Sequence, residues 1–197
     1  IIITTPDPDN NGVRGYYQVG GYFTYKNKTI NIEGHYNDYI TKVIHKTKSF
    51  YNLKYLEDIQ KIYSSKNCLD IGANIGNHAI FFSCFMFDKV FAFEPNKKNF
   101  ELLEKNVKNN NLSDNIICYP YALSNGNFNF RIKEISSNMC GCRVIEGDGE
   151  SLTKKIDEFE FPKIDFIKID VEGHEIKVLM GGEELLKRDK PVIMIEC

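Results

Sequence analysis

The sequence predicts an α/β fold of the doubly wound kind, a mostly parallel sheet with helices on both faces and its ligand at the carboxyl edge of the strands. Three observations predict it. Short apolar runs alternate with helix-period segments from Lys66 onward. Acidic residues end three of those runs: Asp70, Glu94 and Asp170. The first run also passes straight into the glycine-punctuated turn Gly72-Ala73-Asn74-Ile75-Gly76.

Ahead of that core, Thr5–Gly15 is dense in Pro, Asp, Asn and Gly and reads as an exposed loop. Tyr22–Ile32 alternates as a hairpin would, with Asn27-Lys28 as its tip. From Asp38 to Tyr63 the apolar residues keep helical spacing, in two helices. Residues 1–63 are therefore expected to form an N-terminal extension, a layer covering the sheet edge with a lid over a pocket as the alternative. Residues 64–197 form the main domain, which reads as cut short after its fifth strand.

The run Cys68–Ile71 is the first strand of the core, and Asn77–Phe87 the amphipathic helix after the turn. Glycine lets the backbone turn sharply and lets a ligand approach without a Cβ in the way. The helix start beyond it offers unpaired N–H groups. The spacing is G-x-x-x-G and not the dinucleotide pattern G-x-G-x-x-G. Asp70 at the strand tip would repel a pyrophosphate and suits a cationic or hydroxylated ligand, which points toward S-adenosylmethionine. Lys89–Glu94 is the second strand, and Pro95-Asn96 opens a helix carrying Phe100, Leu103 and Val107 on one face. An acid at this strand end, about 20 residues past the glycine turn, is where doubly wound folds hold a ribose diol.

Ile116–Leu123 is the third strand, with the small Ala122 near its tip leaving space for a flat base. Asn125-Gly126 signals a hairpin turn, and Phe128–Ile132 with Ser136–Val144 reads as an inserted β excursion. Cys140-Gly141-Cys142 lacks the second ligand pair that a zinc site needs, so no metal site is assigned. Ile164–Asp170 is the fourth strand, Glu175–Lys187 a helix kinked at Gly181-Gly182, and Val192–Glu196 a fifth strand after Pro191.

Composition narrows the function. A net charge of −2 offers no basic face to nucleic acid. No apolar run approaches the roughly 18 residues of a membrane span, and Ile1-Ile2-Ile3 lacks the basic region of a signal peptide. Without an initiator Met the chain reads as a fragment of something longer. Six cysteines without a Cys-x-x-Cys pair, several inside apolar runs, suit reduced thiols and a cytoplasmic protein.

Six motifs in order carry a resemblance: Asp70–Gly76, Phe93-Glu94-Pro95-Asn96, Tyr121-Ala122-Leu123-Ser124, Lys168–Glu175, Gly181–Leu186 and Pro191–Glu196. Over roughly Lys66 to Cys197 the chain closely resembles the FkbM-type S-adenosylmethionine-dependent methyltransferases. The resemblance implies a class I methyltransferase (Rossmann-like) fold with strand order 3-2-1-4-5. It also implies methylation of a hydroxyl oxygen on a small-molecule or glycan acceptor such as a sugar or natural product, with S-adenosylhomocysteine as product. Carried over by position, Asp70, Gly72, Asn74 and Gly76 would hold the amino-acid end of the cofactor. Glu94 would take the ribose hydroxyls, and Ala122 with Leu123 would border the adenine. Ala73, Asn77, Pro95 and Asp170 complete the expected contacts. The class I sheet normally ends in an antiparallel pair, which does not follow here, and His78 stands where relatives carry an aromatic or small residue.

Methyl transfer to a hydroxyl requires alignment and a proton acceptor. His174, four residues past the fourth strand tip, is the expected base, with a helix-start histidine in water as the bland alternative. Asp170 is expected to orient that base, bind substrate hydroxyls or touch the cofactor. Its ligation of a divalent metal together with Glu172 is the less favoured reading, since Glu172-Gly173 reads as a helix cap. His78 is expected only to touch the cofactor. Two rivals stand beside this reading: a non-catalytic cofactor-binding scaffold, and an NAD-dependent oxidoreductase, which the missing G-x-G-x-x-G disfavours. The fourth strand is not followed by the Asn/Asp-Pro-Pro-aromatic run of nucleic-acid base methyltransferases.

Overall fold

Five parallel strands form the centre of the protein, in the order β10 (Val192–Ile195), β9 (Phe166–Ile169), β3 (Ser65–Ile71), β4 (Phe87–Phe93), β5 (Ile116–Tyr119). Counting from β3 as the first strand of the core, this is the expected order 3-2-1-4-5. The computed structural model describes residues 18–36, 38–134, 142–147 and 149–195. The loop expected at Thr5–Gly15, the Cys140-Gly141 pair, most of the excursion strand expected at Ser136–Val144, and the last residue of the strand expected at Val192–Glu196 lie outside the described residues.

Strand alternation sends successive side chains to opposite faces. On one face Cys68, Val90, Ala92 and Phe166 join a core with α3 (Asn77–Phe85) and α4 (Lys97–Asn109). On the other, Leu69, Ile71, Phe91, Phe93 and Ile167 pack on Phe161, Ile164, Val178 and Leu185. Register fixes one further pair. Asp70 lies beside Lys168 across the β3–β9 ladder, on the same face as Cys68 and Phe166.

The segment after the glycine turn differs from the amphipathic helix expected over Asn77–Phe87. Asn77 to Phe82 are all buried, so α3 is enclosed on every side, and it stops at Phe85, with Met86 as its C-cap before β4 begins at Phe87. Its outer face is covered by the N-terminal elements. These are the antiparallel hairpin β1 (Gln18–Tyr25) and β2 (Lys28–His35), with α1 (Tyr39–Thr47) and α2 (Leu53–Ile62). Phe50, between the two helices, packs edge-on against Phe81 at 5.2 Å and against Phe23 of β1 at 5.1 Å. The hairpin tip is Lys26-Asn27, one residue before the expected pair. A two-residue turn between right-twisted strands needs positive φ at both centres, here 45° and 62°.

The hairpin is joined to α4 by asparagines acting as strand mimics. Fully buried Asn106 accepts from the Glu33 amide and donates to the carbonyls of Glu33 and Ile75, each at 2.8 Å. Asn110 accepts from the Asn31 amide and donates to its carbonyl. The unpaired main-chain groups of β2 are thereby satisfied by side chains.

The second and fourth core strands shift by one or two residues from Lys89–Glu94 and Ile164–Asp170, and three larger differences stand beside them. β5 ends at Tyr119 rather than Leu123, because Pro120 cannot extend the ladder. Beyond it Leu123 bridges Lys154, while Ser124 N and Lys154 N donate to the carbonyls of Lys154 and Ala122. Asn125-Gly126 is a bend and not a hairpin tip. Neither residue takes the positive φ such a turn requires, and β6 (Asn129–Glu134) pairs instead with β7 (Cys142–Glu146) and β8 (Ser151–Leu152). The helix expected to kink at Gly181-Gly182 is two helices, α5 (Glu175–Met180) and α6 (Glu183–Asp189). A Cβ on Gly181 would lie 2.0 Å from the Ser124 carbonyl oxygen, so the chain can press here only as glycine. Among the described residues no helix is long and apolar enough to cross a membrane.

Asn106→Ala would leave three main-chain groups, one buried and two part-buried, without partners. It should lower unfolding free energy by about 3 kcal/mol in urea denaturation, against about 1 kcal/mol for Asn110→Ala at its partly exposed site.

Candidate active site

At the carboxyl edge of β3, β4 and β9 lies a cavity of about 330 Å³, within the size range of small-molecule sites. Its floor is the turn after β3. Gly72 N and Ala73 N both donate to Phe93 O (3.0 and 2.9 Å), which clamps the turn to the neighbouring strand. Gly72 has φ +80°, and a Cβ there would lie 1.8 Å from Asp170 O, so only glycine fits between the ends of β3 and β9. Asn74 takes the left-handed conformation at φ 51°.

Glu94, at the end of β4, lines the cavity while buried to 6 % exposure. Each carboxylate oxygen accepts one main-chain N–H: Oε2 from Asn74 at 2.9 Å and Oε1 from Asn96 at 2.8 Å. One lone pair on each oxygen stays unused by these bonds. Burial pushes its pKa up to about 7 against the pull of those two amides. Asn96 also caps α4 by accepting from Lys98 N and Asn99 N, so one short segment both orients the acid and starts the helix.

Asp70 is placed differently from the expectation. It does not line the cavity; it lies beneath it with 0 % exposure. Lys168, inside β9 and buried to 1 %, reaches between Asp70 Oδ1 at 3.2 Å and Asp170 Oδ2 at 3.4 Å, and donates to Gly72 O at 2.9 Å. Burial would strip its proton, but the two carboxylates outweigh burial and raise its pKa. For Asp70 burial wins and its pKa is raised, despite the ammonium beside it. Neither Asp70 oxygen has a well-directed hydrogen bond among the described residues. Gly76 also lies outside the cavity. At φ +91° it is the N-cap of α3 against Leu103.

The other expected residues do meet at the cavity: Gly72, Ala73, Asn74, Asn77, Glu94, Pro95, Ala122, Leu123, Asp170 and His174 all line it. Asn77 also holds α1's neighbour Tyr51, accepting from its amide at 3.0 Å and donating to its carbonyl at 3.2 Å. His78 lines the cavity as a buried neutral ring, its pKa lowered to about 3 by burial and by Lys168.

The expectation that Asp170 orients His174 is corrected by the contacts. The carboxylate on His174 is Glu146 of β7, with Nε2 3.0 Å from Oε1, whereas Asp170 is paired with Lys168. Glu172, with φ 56°, lines the cavity and does not cap α5; Gly173 N instead bonds the Glu175 side chain. Among the described residues no three His, Cys, Asp or Glu side chains converge as metal ligands. The Cys140-Gly141-Cys142 stretch weighed for zinc lies outside the described residues apart from the backbone of Cys142.

Sequence reasoning missed Lys168, Glu146 and the walls made by Tyr39, Ile40, Tyr51 and Tyr121. Lys168 carried a signal, a lone cation within the apolar strand Phe166–Ile169 and two residues from an acid at its tip. Glu146 carried none, standing in a polar segment far from every motif.

Lys168→Met would leave Asp70 and Asp170 without their cation, at a cost of about 3–5 kcal/mol in urea unfolding at pH 8. An acid with a raised folded pKa holds its proton better folded than unfolded. The deficit should therefore shrink as pH falls toward 5, and adding Asp70→Asn should recover part of it at pH 8.

A family model described as methyltransferase FkbM domain matches residues 70–197. The chain is 36 % identical over 133 residues to the hexuronic acid methyltransferase AglP of Haloferax volcanii, covering 64 % of this chain and 53 % of that protein. It thus spans about half the length of the curated relative it matches. Among solved structures it is similar to a methyltransferase FkbM from Methylobacillus flagellatus KT (TM-score 0.48, 22 % identity, 66 % of this chain and 32 % of that one). It is also similar to the Pyrococcus abyssi tRNA (uracil-54, C5)-methyltransferase (TM-score 0.49, 16 % identity, 84 % and 32 %). With the acids Asp70, Glu94 and Asp170 and the glycine turn all inside the matched region, the chain belongs to the FkbM methyltransferase domain family.

Proposed function

We propose that the protein is an S-adenosylmethionine-dependent O-methyltransferase acting on a hydroxyl of a sugar or glycan. The observation that carries this reading is Glu94. A buried carboxylate at the second strand tip faces the cavity with each oxygen holding only one amide. That is an acceptor pair for a vicinal diol, set opposite a glycine turn that lets a ligand lie against main chain. The family supports the reaction class, and the name of the Haloferax relative supports a sugar acceptor.

The cofactor, when bound, supplies a methyl group on a sulfonium, an electrophile that departs from a neutral thioether. In this reading Gly72, Ala73, Asn74 and Asn77 border its amino-acid end, Glu94 and Pro95 its ribose, and Ala122 with Leu123 its base. Asp70 acts at one remove, by holding Lys168 on the carbonyl of Gly72, and Gly76 by starting α3. Asp170, about one-third exposed at its side chain (30 %), presents a carboxylate to the same space. His174 takes the hydroxyl proton. A non-catalytic cofactor-binding domain would keep every one of these contacts except the last, and would bind without turnover.

Hydroxyl donors on Glu94 favour its anion, so ligand binding should lower its pKa from about 7. Affinity then falls as pH drops below the free value. S-adenosylhomocysteine binding by calorimetry is expected to be about tenfold weaker at pH 6 than at pH 8. Glu94→Gln should weaken it about ten- to a hundredfold at pH 8 and flatten the pH dependence. A folded wild type that binds no S-adenosylhomocysteine would sink the reading.

A further inference from the structure

Four side chains from three segments meet beside the cavity, and the proposed function uses only one of them. Glu146 Oε1 receives the Ser124 hydroxyl at 2.6 Å and lies 3.0 Å from His174 Nε2. Its Oε2 is paired with Lys177, three residues along α5 from His174. Ser124 Oγ is itself 3.1 Å from His174 Nε2. No described residue bonds Nδ1 of His174.

Charge and donor count settle the proton on this ring. An ionised carboxylate only accepts, so the nitrogen facing Glu146 must carry hydrogen. A neutral ring then has its lone pair on Nδ1. The arrangement is not a nucleophilic Ser-His-acid triad, in which hydroxyl and carboxylate engage opposite nitrogens. Here both sit at Nε2, and the hydroxyl proton of Ser124 is already committed to Glu146.

We propose that Glu146 is a positioning residue for His174, locking the Nε2–H tautomer so that Nδ1 is the nitrogen that accepts the proton of the methyl acceptor's hydroxyl. This rests on the O-methyltransferase reading. In the step, the hydroxyl proton passes to Nδ1 as the oxygen's electron pair forms the bond to the methyl carbon, and the carbon–sulfur pair leaves with sulfur. The positive charge gained by the ring is met by the Glu146 carboxylate.

The surroundings keep both groups in the required state. Burial pushes Glu146 up, but its bonds from Lys177 and Ser124 and the nearby His174 outweigh burial and hold it below the usual carboxylate range. Burial lowers His174, helped by Lys177 and opposed by Glu146 and Glu175, so the free ring is neutral at pH 7. Asp170, Glu172 and Lys168 line the same cavity, and Arg143 of β7 is engaged on the Glu172 carbonyl at 2.9 Å. The excursion β6–β7 is thus tied to the loop before α5 at two points, and its second strand delivers Glu146.

The test is nitrogen-15 NMR of the histidines across pH, with His174 assigned by its loss in His174→Gln. The wild type is expected to show the Nε2–H tautomer at pH 7.5 and to titrate below the usual histidine range. In Glu146→Gln the tautomer should become mixed and the titration move further down, since the charge favouring the imidazolium is gone. Lys177→Met, which removes a like charge, should move it up and keep the tautomer. A wild-type ring protonated on Nδ1, or a Glu146→Gln ring with unchanged tautomer and titration, overturns the proposal. An intact lock in a protein that binds no S-adenosylhomocysteine overturns the methyltransferase reading and, with it, the catalytic use of the lock.

Discussion

The ammonium of Lys168 is the interaction on which the rest of the site depends. A cation this deeply buried is tolerated only among carboxylates and carbonyls. Parallel register supplies them: Asp70 lies directly across the ladder, Asp170 is two residues on, and Gly72 O closes the third side. The cluster joins the tips of two strands and the glycine turn through one side chain. The amides of that turn, the hydrogen bond from Asn74 to Glu94 and the position of Asp170 are all downstream of it. The cluster carries one negative charge beneath a cavity read as the site of a cationic cofactor, which suits that ligand better than a pyrophosphate.

Enclosure comes from two additions to the sheet. The N-terminal hairpin and helices cover α3, which is enclosed on every side, and bring Tyr39, Ile40 and Tyr51 to the cavity. The excursion after β5 brings Ile132 and Val144 to another wall and sets Glu146 against His174. Neither addition belongs to the repeated β-α pattern, and both reach the cavity. The parallel sheet provides the turn and the strand-tip acids, while the additions provide the walls and the partner of His174.

How much of this was legible follows from which forces are local. The succession of core strands and helices and the helix start at Pro95-Asn96 rest on local chemistry, so periodicity and punctuation reveal them. So does Glu94, because a strand end and a turn about 20 residues earlier are enough to place it. The strand order 3-2-1-4-5, by contrast, is what the family resemblance implies, and the kink expected at Gly181-Gly182 is a break between two helices. Asp70 was read as cavity-facing because a strand tip alone does not say which face it turns to. That depends on Lys168, roughly a hundred residues later. Glu146 depends on how a β excursion folds back, and nothing within its own segment reports that. The hairpin tip moved by one residue because turn geometry, not the preference of Asn for turns, decides which two residues turn.

The asparagine pairing between β2 and α4 also orders events during synthesis. Asn31 and Glu33 find their partners 79 and 73 residues later in the chain. At ribosomal speeds of about 5–20 residues per second, the hairpin emerges roughly 4–16 s before Asn106 and Asn110 exist to receive it. Throughout that interval Phe23, Ile30 and Ile32, all buried in the finished molecule, lack a complete α4 to pack against, and for its first part they lack α3 as well. The hairpin is therefore secured only once α4 has followed it, and until then the nascent chain carries an open apolar strand edge, the kind of surface that chaperones bind.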